Sequence, residues 1–156
     1  MISAETIEFE AKDLLEAEIV PDSTGDWIHA IVEAPKWEES ARKLQASMGM
    51  NLLGCLTAVD HLGREGVGEK TLEVVAHLYN VDSGGKIALK TWLAREDARL
   101  ATLADLYPGA DWFERETAEL FGITFEGHPN PTHLILPDEW EGFPLRKDYA
   151  DPEDSY

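Results

Sequence analysis

The chain reads as an α+β domain: a small mixed sheet with helices on one face, followed by an extended irregular C-terminal arm. Three observations predict it. Two stretches near the amino terminus carry apolar residues at helical spacing. Four short runs rich in apolar and β-branched residues are bounded by Gly, Pro, Asp and Ser. After Gly127 periodicity is lost, although large apolar side chains persist. Residues 1–109 are thus expected to form the α/β globular unit, and residues 110–156 a capped helix plus an extended arm.

The first helix is expected between Ala4 and Ile19, with Ile7, Ala11, Leu14 and Leu15 on its inner side and acidic residues between. Residues 21–25 form a loop, and Trp27 to Val32 a short strand. Pro35 suits the first turn of a second helix, where its missing N–H is harmless. That helix should run to Met48, bury Trp37, Ala41, Leu44 and Met48, and close on Gly49. Leu52 to Val59, Thr71 to Tyr79 and Lys86 to Leu93 read as strands, the last two joined by a hairpin turn at Asp82-Ser83-Gly84-Gly85. A short helical piece is expected at Asp97 to Leu106, ending before Pro108-Gly109. The next helix starts at Asp111, placed as N-cap with Glu114 reaching back in a capping box, and stops at Gly122. Its apolar stripe is Trp112, Phe113 and Leu120, with the carboxylate of Glu116 among them. Beyond it, Pro129, Pro131, Pro137 and Pro144 exclude a continuous helix. Yet Leu134-Ile135-Leu136, Trp140, Phe143 and Leu145 are too apolar for a free tail, which makes another chain the expected cover.

The 156 residues include 13 Lys and Arg against 31 Asp and Glu, a formal net charge of −18. A field of that sign disfavours nucleic acid and anionic lipid surfaces. The acidity itself reads as a solvating surface or the mark of a salty habitat rather than a face built for a basic partner. Cys55 is the lone cysteine, so it makes no internal disulfide and cannot by itself hold a zinc ion or an iron–sulfur cluster. Set in the apolar run Leu53-Gly54-Cys55-Leu56, it is expected to be a buried structural thiol. No stretch approaches the roughly 20 apolar residues of a spanning helix, and Met1 to Glu5 lacks the basic and apolar regions of a secretory signal. A cytoplasmic-type chain is expected, held at any membrane by another protein.

Chemical motifs are sparse. Gly63 to Gly68 has glycines but lacks the Lys-Ser/Thr of a phosphate loop. His128 and His133, with Asp138 near, match no common metal spacing, and His128 is expected to hydrogen-bond backbone at a tight turn. His29, His61 and His77 are scattered and carry no signal. Glu114-Arg115-Glu116 beside Trp112 and Phe113 reads as a docking or buried cluster in preference to a solvated or catalytic one. Arg146-Lys147-Asp148, a basic group in an acidic arm, reads as an anchor for carboxylates on a partner.

Two blocks resemble a known family. Trp112-Phe113-Glu114-Arg115-Glu116, Glu119-Leu120-Phe121-Gly122-Ile123 and Gly127-His128-Pro129 are similar to the signature of the complex I 30-kDa subunit family. Leu136-Pro137-Asp138-Glu139-Trp140-Glu141-Gly142-Phe143-Pro144-Leu145-Arg146-Lys147-Asp148-Tyr149 resembles its closing motif nearly residue for residue. Weaker similarity covers Leu56 to Asp60 and Glu73 to Leu78, so the resemblance extends from about Asn51 onward. It implies an α/β domain whose arm wraps a large hydrogenase-like subunit that shapes the quinone site. The arm also approaches a ferredoxin-like iron–sulfur subunit and other peripheral-arm subunits. It implies no catalytic residue and no cofactor on this chain; NAD(H), flavin, iron–sulfur clusters and quinone belong to partners. The place implied is the cytoplasmic face of the membrane, peripheral and held by the complex. The expected docking residues are Glu114, Arg115, Glu116, His128, Pro129, Trp140, Pro144, Leu145, Arg146, Lys147 and Asp148. One departure is visible: Thr132 and His133 stand where the family usually has two arginines. Equivalent subunits serve membrane-bound hydrogenases and coenzyme F420 dehydrogenases. A stand-alone enzyme using the carboxylates near Glu114, or a free acidic adaptor, are the alternatives from other classes.

Overall fold

The computed structural model describes residues 3–23, 27–69 and 71–150. Helix α1 (Ala4–Leu14) is capped by the Ser3 hydroxyl, which accepts the Thr6 N–H at 3.3 Å, and it buries Ile7 and Ala11. It ends earlier than its periodicity suggests, because Glu18–Pro21 forms an edge strand, β1. Pro21 is tolerated there since an edge strand has one unpaired side. Strand β2 (Ile28–Ile31) leads through a 3-10 turn at Ala34–Lys36, with Pro35 in its opening positions, into α2 (Trp37–Met48). Helix α2 buries Trp37, Ala41 and Leu44 and closes on Gly49 at φ 62°, as the apolar spacing and the glycine predict; Met48 stays half-buried.

Strands β3 (Leu52–Asp60), β4 (Leu72–Asn80) and β5 (Gly85–Leu93) complete a five-stranded sheet in the order β1-β2-β5-β4-β3. All pairings are antiparallel except β2 with β5, so the sheet is mixed. One cluster joins the helices to a single sheet face: Ile7, Trp37 and Leu44 meet Ile28, Leu56, Leu72, Leu78, Ile87 and Leu89. A bulge between Leu53 and Cys55 interrupts β3. Gly54 sits in it because a Cβ there would lie 2.6 Å from the Tyr79 ring. Cys55 is half-buried rather than enclosed, and burial, then the charge of Glu116, raise its thiol pKa.

The region after Leu93 differs from expectation. In place of a helix at 97–106 there is a 3-10 turn at Arg95–Asp97 and a short strand, β6 (Arg99–Ala101). Strand β6 pairs in parallel with β7 (Thr124–Glu126), and α3 (Ala110–Phe121) connects them. The pairing partner lies beyond a whole helix, so tertiary contact overrides the local helical tendency. Helix α3 packs along β3, the sheet edge, and its Thr117 hydroxyl reaches the Leu56 carbonyl at 3.4 Å. Its N-cap is Gly109, without a side-chain cap; Asp111 lies inside the first turn, and the expected capping box does not form. Residues 127–150 contain no helix or strand.

Candidate functional site

The arm follows the surface of α3, held by clasps made from polar side chains and its own backbone. Glu119, 4% exposed, accepts the N–H groups of Leu134, Ile135 and Leu136 at 3.0, 2.8 and 3.2 Å. One turn earlier, Arg115 donates from Nε to the Thr132 carbonyl at 2.9 Å and from its terminal nitrogen to the His133 carbonyl at 2.9 Å. Arg115 and Glu119, four residues apart, therefore both grip the arm instead of pairing with each other. Thr132 and His133 contribute main-chain acceptors here, so the missing arginine side chains do not free this segment.

Arg146 forms the second clasp. It donates to the carbonyls of Phe121 at 2.6 Å, Gly122 at 3.2 Å and Arg95 at 3.4 Å, while the Leu145 N–H bonds the Leu120 carbonyl at 3.0 Å. The carbonyls of Leu120, Phe121 and Gly122 are orphan acceptors at the carboxyl end of α3, where a cation is favoured. Its guanidinium lies 4.7 Å from the Phe143 ring centre, and that ring covers Gly122, whose Cβ position is 2.5 Å away. Gly122 also has φ 69°, so the helix end needs glycine twice over. The third clasp is Asp60 at the end of β3. It accepts the N–H groups of Leu62 and Lys147 at 2.9 and 2.8 Å and the Arg95 guanidinium at 2.5 Å. Burial raises the Asp60 pKa, but those N–H groups and Arg95 outweigh it and hold the carboxyl below its ordinary value.

A buried polar cluster lies where the arm begins. Glu114 is fully enclosed; it accepts the Leu103 N–H at 2.6 Å and the Thr102 hydroxyl. Burial dominates, with the charge of Asp111 adding to it, and the Glu114 carboxyl is pushed up to about 7 despite those two donors. His128 donates from Nε2 to the Asp111 carbonyl at 3.2 Å and accepts the Asn130 N–H at Nδ1. Its Nε2 is 3.8 Å from Glu114. The imidazole thus bonds backbone on both sides, and among the described residues no group of three or more His, Cys, Asp or Glu could hold a metal ion.

Four of the expected docking residues are engaged by their own chain. Glu114 is enclosed, Arg115 holds the arm, His128 is tied to backbone, and Arg146 grips the end of α3. The buried side of α3 is Ala110, Glu114, Thr117, Glu119 and Phe121; of the expected stripe, Phe113 and Leu120 are half-buried against the core, while Trp112 is exposed. Glu116 is half-buried; Pro129, Lys147 and Asp148 are exposed, and Pro144 is half-buried. Asp148 lies 3.3 Å from Arg95. The side chains that point outward are large and apolar: Ile135 and Trp112 are each 61% exposed, Leu145 52%, and Phe143 and Trp140 are also exposed. Sequence reasoning missed Glu119 and Asp60 as clasps, since neither is distinguishable from a solvated carboxylate without the amides that meet it.

The chain matches the family described as respiratory-chain NADH dehydrogenase, 30 Kd subunit, over residues 30–155. It belongs to that family. A relative from Buchnera aphidicola, the C/D-type subunit of an NADH-quinone oxidoreductase, is 44% identical over 102 residues, 64% of this chain and 17% of that protein. The matched stretch is therefore a small part of that curated relative. Among solved structures, the trypsin-resistant fragment of Nqo5 superposes with TM-score 0.72 at 28% identity, covering 81% of this chain and 97% of the fragment. A chain of the membrane-bound sulfane sulfur reductase, an archaeal respiratory membrane complex, superposes with TM-score 0.78 at 28% identity, covering 96% and 86%. No helix among the described residues of this 30-kDa family member is long and apolar enough to cross a membrane.

Proposed function

We propose that the chain is a non-catalytic scaffold subunit in the peripheral arm of a complex I-like NADH:quinone oxidoreductase. Its strap docks the large quinone-site subunit and the ferredoxin-like iron–sulfur subunit. One observation carries the reading: the strap's backbone is tied inward at Glu119, Arg146 and Asp60, while Ile135, Trp140 and Leu145 are turned outward. Such a segment is ordered before binding, so a partner that buries those side chains loses little conformational entropy. NAD(H), flavin, iron–sulfur clusters and quinone are held by partner subunits, and the chain sits peripherally on the cytoplasmic face because they hold it there. Likeness to a chain of an archaeal respiratory membrane complex favours a related assembly, such as a membrane-bound hydrogenase or F420H2 dehydrogenase, as the second reading.

A stand-alone enzyme would build on Glu114, a perturbed acid lining a cleft of about 230 Å³ between α3 and the strap. That carboxylate is 0% exposed and already bonded to Leu103 and Thr102, which favours a structural role. The test is Leu145→Glu in the native host, followed by native gels of solubilised membranes. Loss of the intact complex with an unchanged melting temperature of the isolated subunit is expected. A full yield of active complex would refute the docking reading.

A further inference from the structure

The cleft between α3 and the strap combines two kinds of lining. Ala118, Ile123, Phe125, Pro131 and Phe143 supply apolar walls, and Glu114, Arg115, Glu119 and His128 supply polar groups. Its volume of about 230 Å³ lies below the roughly 300 Å³ at which small-molecule pockets begin, and suits one large side chain. Phe143 is a wall of the cleft and also a strap residue, between the exposed Trp140 and Leu145 in the chain. Pro131, Thr132 and His133, strap residues too, are exposed at its rim. A partner seated on the strap therefore covers the mouth of the cleft.

The four polar side chains decide what can enter, because each is already bonded within the chain. Glu114 accepts the Leu103 N–H and the Thr102 hydroxyl, and Glu119 accepts three strap amides. Arg115 donates to the Thr132 and His133 carbonyls, and His128 bonds backbone through both ring nitrogens. Asp111 Oδ1, buried and unpaired, stands 3.6 Å from His128 Nε2 but outside the lining. Charge is balanced as well. Arg115 and Glu119 carry opposite signs, and burial pushes the Glu114 carboxyl up to about 7. A charged or hydrogen-bonding guest would lose its water and find no free partner on this floor. An apolar guest displaces solvent and gains contact with the walls.

We propose that this cleft receives one large apolar side chain from the subunit that covers the strap. To the outward contacts of Ile135, Trp140 and Leu145 it adds a socket, entered between α3 and the strap, in which a single anchor of the partner is buried. The inference rests on the docking reading above.

Thr124 lines the cleft and is exposed, so a larger side chain there plugs the socket from its rim. Thr124→Trp should lower the yield of intact complex on native gels by about tenfold or more, with the melting temperature of the isolated subunit unchanged. Glu126→Trp places the same bulk two residues along β7, outside the lining, and should leave the yield at the wild-type level. An undiminished yield for Thr124→Trp, or an equal loss from Glu126→Trp, would overturn the proposal. Photo-leucine placed at Thr124 decides the matter if the tryptophan disturbs folding. Irradiation of the assembled complex should join it to an apolar side chain of another subunit, read by mass spectrometry. A link to a polar side chain, to a second copy of the chain, to its own strap alone, or no link at all would overturn it. If Leu145→Glu abolishes assembly while Thr124→Trp does not, the strap reading stands and the socket falls. A full yield with Leu145→Glu would instead remove the strap reading itself.

Discussion

The Glu119 carboxylate lies 2.8 Å from the Ile135 N–H, and Ile135 is among the most exposed apolar side chains of the chain. The two facts belong together. With the backbone anchored to a buried acid, Leu134 and Leu136 stay half-buried and Ile135 between them is exposed, so an irregular segment presents a defined apolar surface without a helix or strand of its own. The clasp also satisfies the amides of Leu134 and Leu136, which a proline-interrupted segment cannot pair in a ladder.

Glu119→Ala should therefore release the segment around Leu134 to Leu136 while sparing the sheet. Hydrogen exchange at those three amides is expected to accelerate as the local opening becomes easier by about 2 kcal/mol. Amides of β4 and β5 should keep their protection. Unaltered exchange at Ile135 would show that the carboxylate does not hold the strap.

Arg146→Ala is expected to destabilise the isolated subunit, since its guanidinium serves three carbonyls of the same chain. Loss of these bonds and of the ring contact with Phe143 should cost about 1–3 kcal/mol in urea unfolding. Arg146→Lys should recover only part, because an ammonium lacks the planar fork. A midpoint equal to wild type would place Arg146 outside the fold's own hydrogen bonding.

Glu114 makes stability depend on pH in a defined direction. Its carboxyl is raised from 4.5 in the unfolded chain to about 7 in the folded one, so the folded state holds the proton more tightly. Its contribution is fully favourable below the unfolded value and is lost as pH rises through about 7. Glu114→Gln keeps an acceptor for Leu103 and can donate to Thr102 without ionising. It should match wild type near pH 4.5 and exceed it above pH 7, by about 3 kcal/mol at most. A stability difference independent of pH would sink this account.

Gly122→Ala places a side chain at φ 69° and against the Phe143 ring. The left-handed backbone alone costs about 1 kcal/mol, and displacement of the ring adds to it. Thermal unfolding should show the loss, with faster proteolysis after Glu141 as the ring leaves its seat. A Gly63→Ala control carries the same backbone strain, with nothing within 4 Å of its Cβ position, and isolates the Phe143 contribution.

Local signals made parts of the fold legible. Pro35 opens the turn into α2 and Gly49 closes the helix; Asp82 to Gly85 turns β4 into β5. Each signal acts within a few residues of its effect. Strand β6 was not legible, because Leu100 pairs with Phe125 only after α3 has brought them together. Nor was the inner side of α3: Glu114 and Glu119 turn inward because the Leu103 amide and the strap amides meet them there. His29, His61 and His77 looked scattered, yet the sheet register sets His29 and His77 around Ala88.

By itself, the amino-acid sequence determined the α+β class, the placement of the central strands and α2, the greasy irregular arm and, through two specific blocks, the family. Such features arise from spacing and backbone preference within short windows. Tertiary structure alone decided which charged side chains are clasps and which apolar ones face outward. A carboxylate is silent in sequence until particular amides reach it, and here, apart from that of Leu62, those amides lie eleven to eighty-seven residues away.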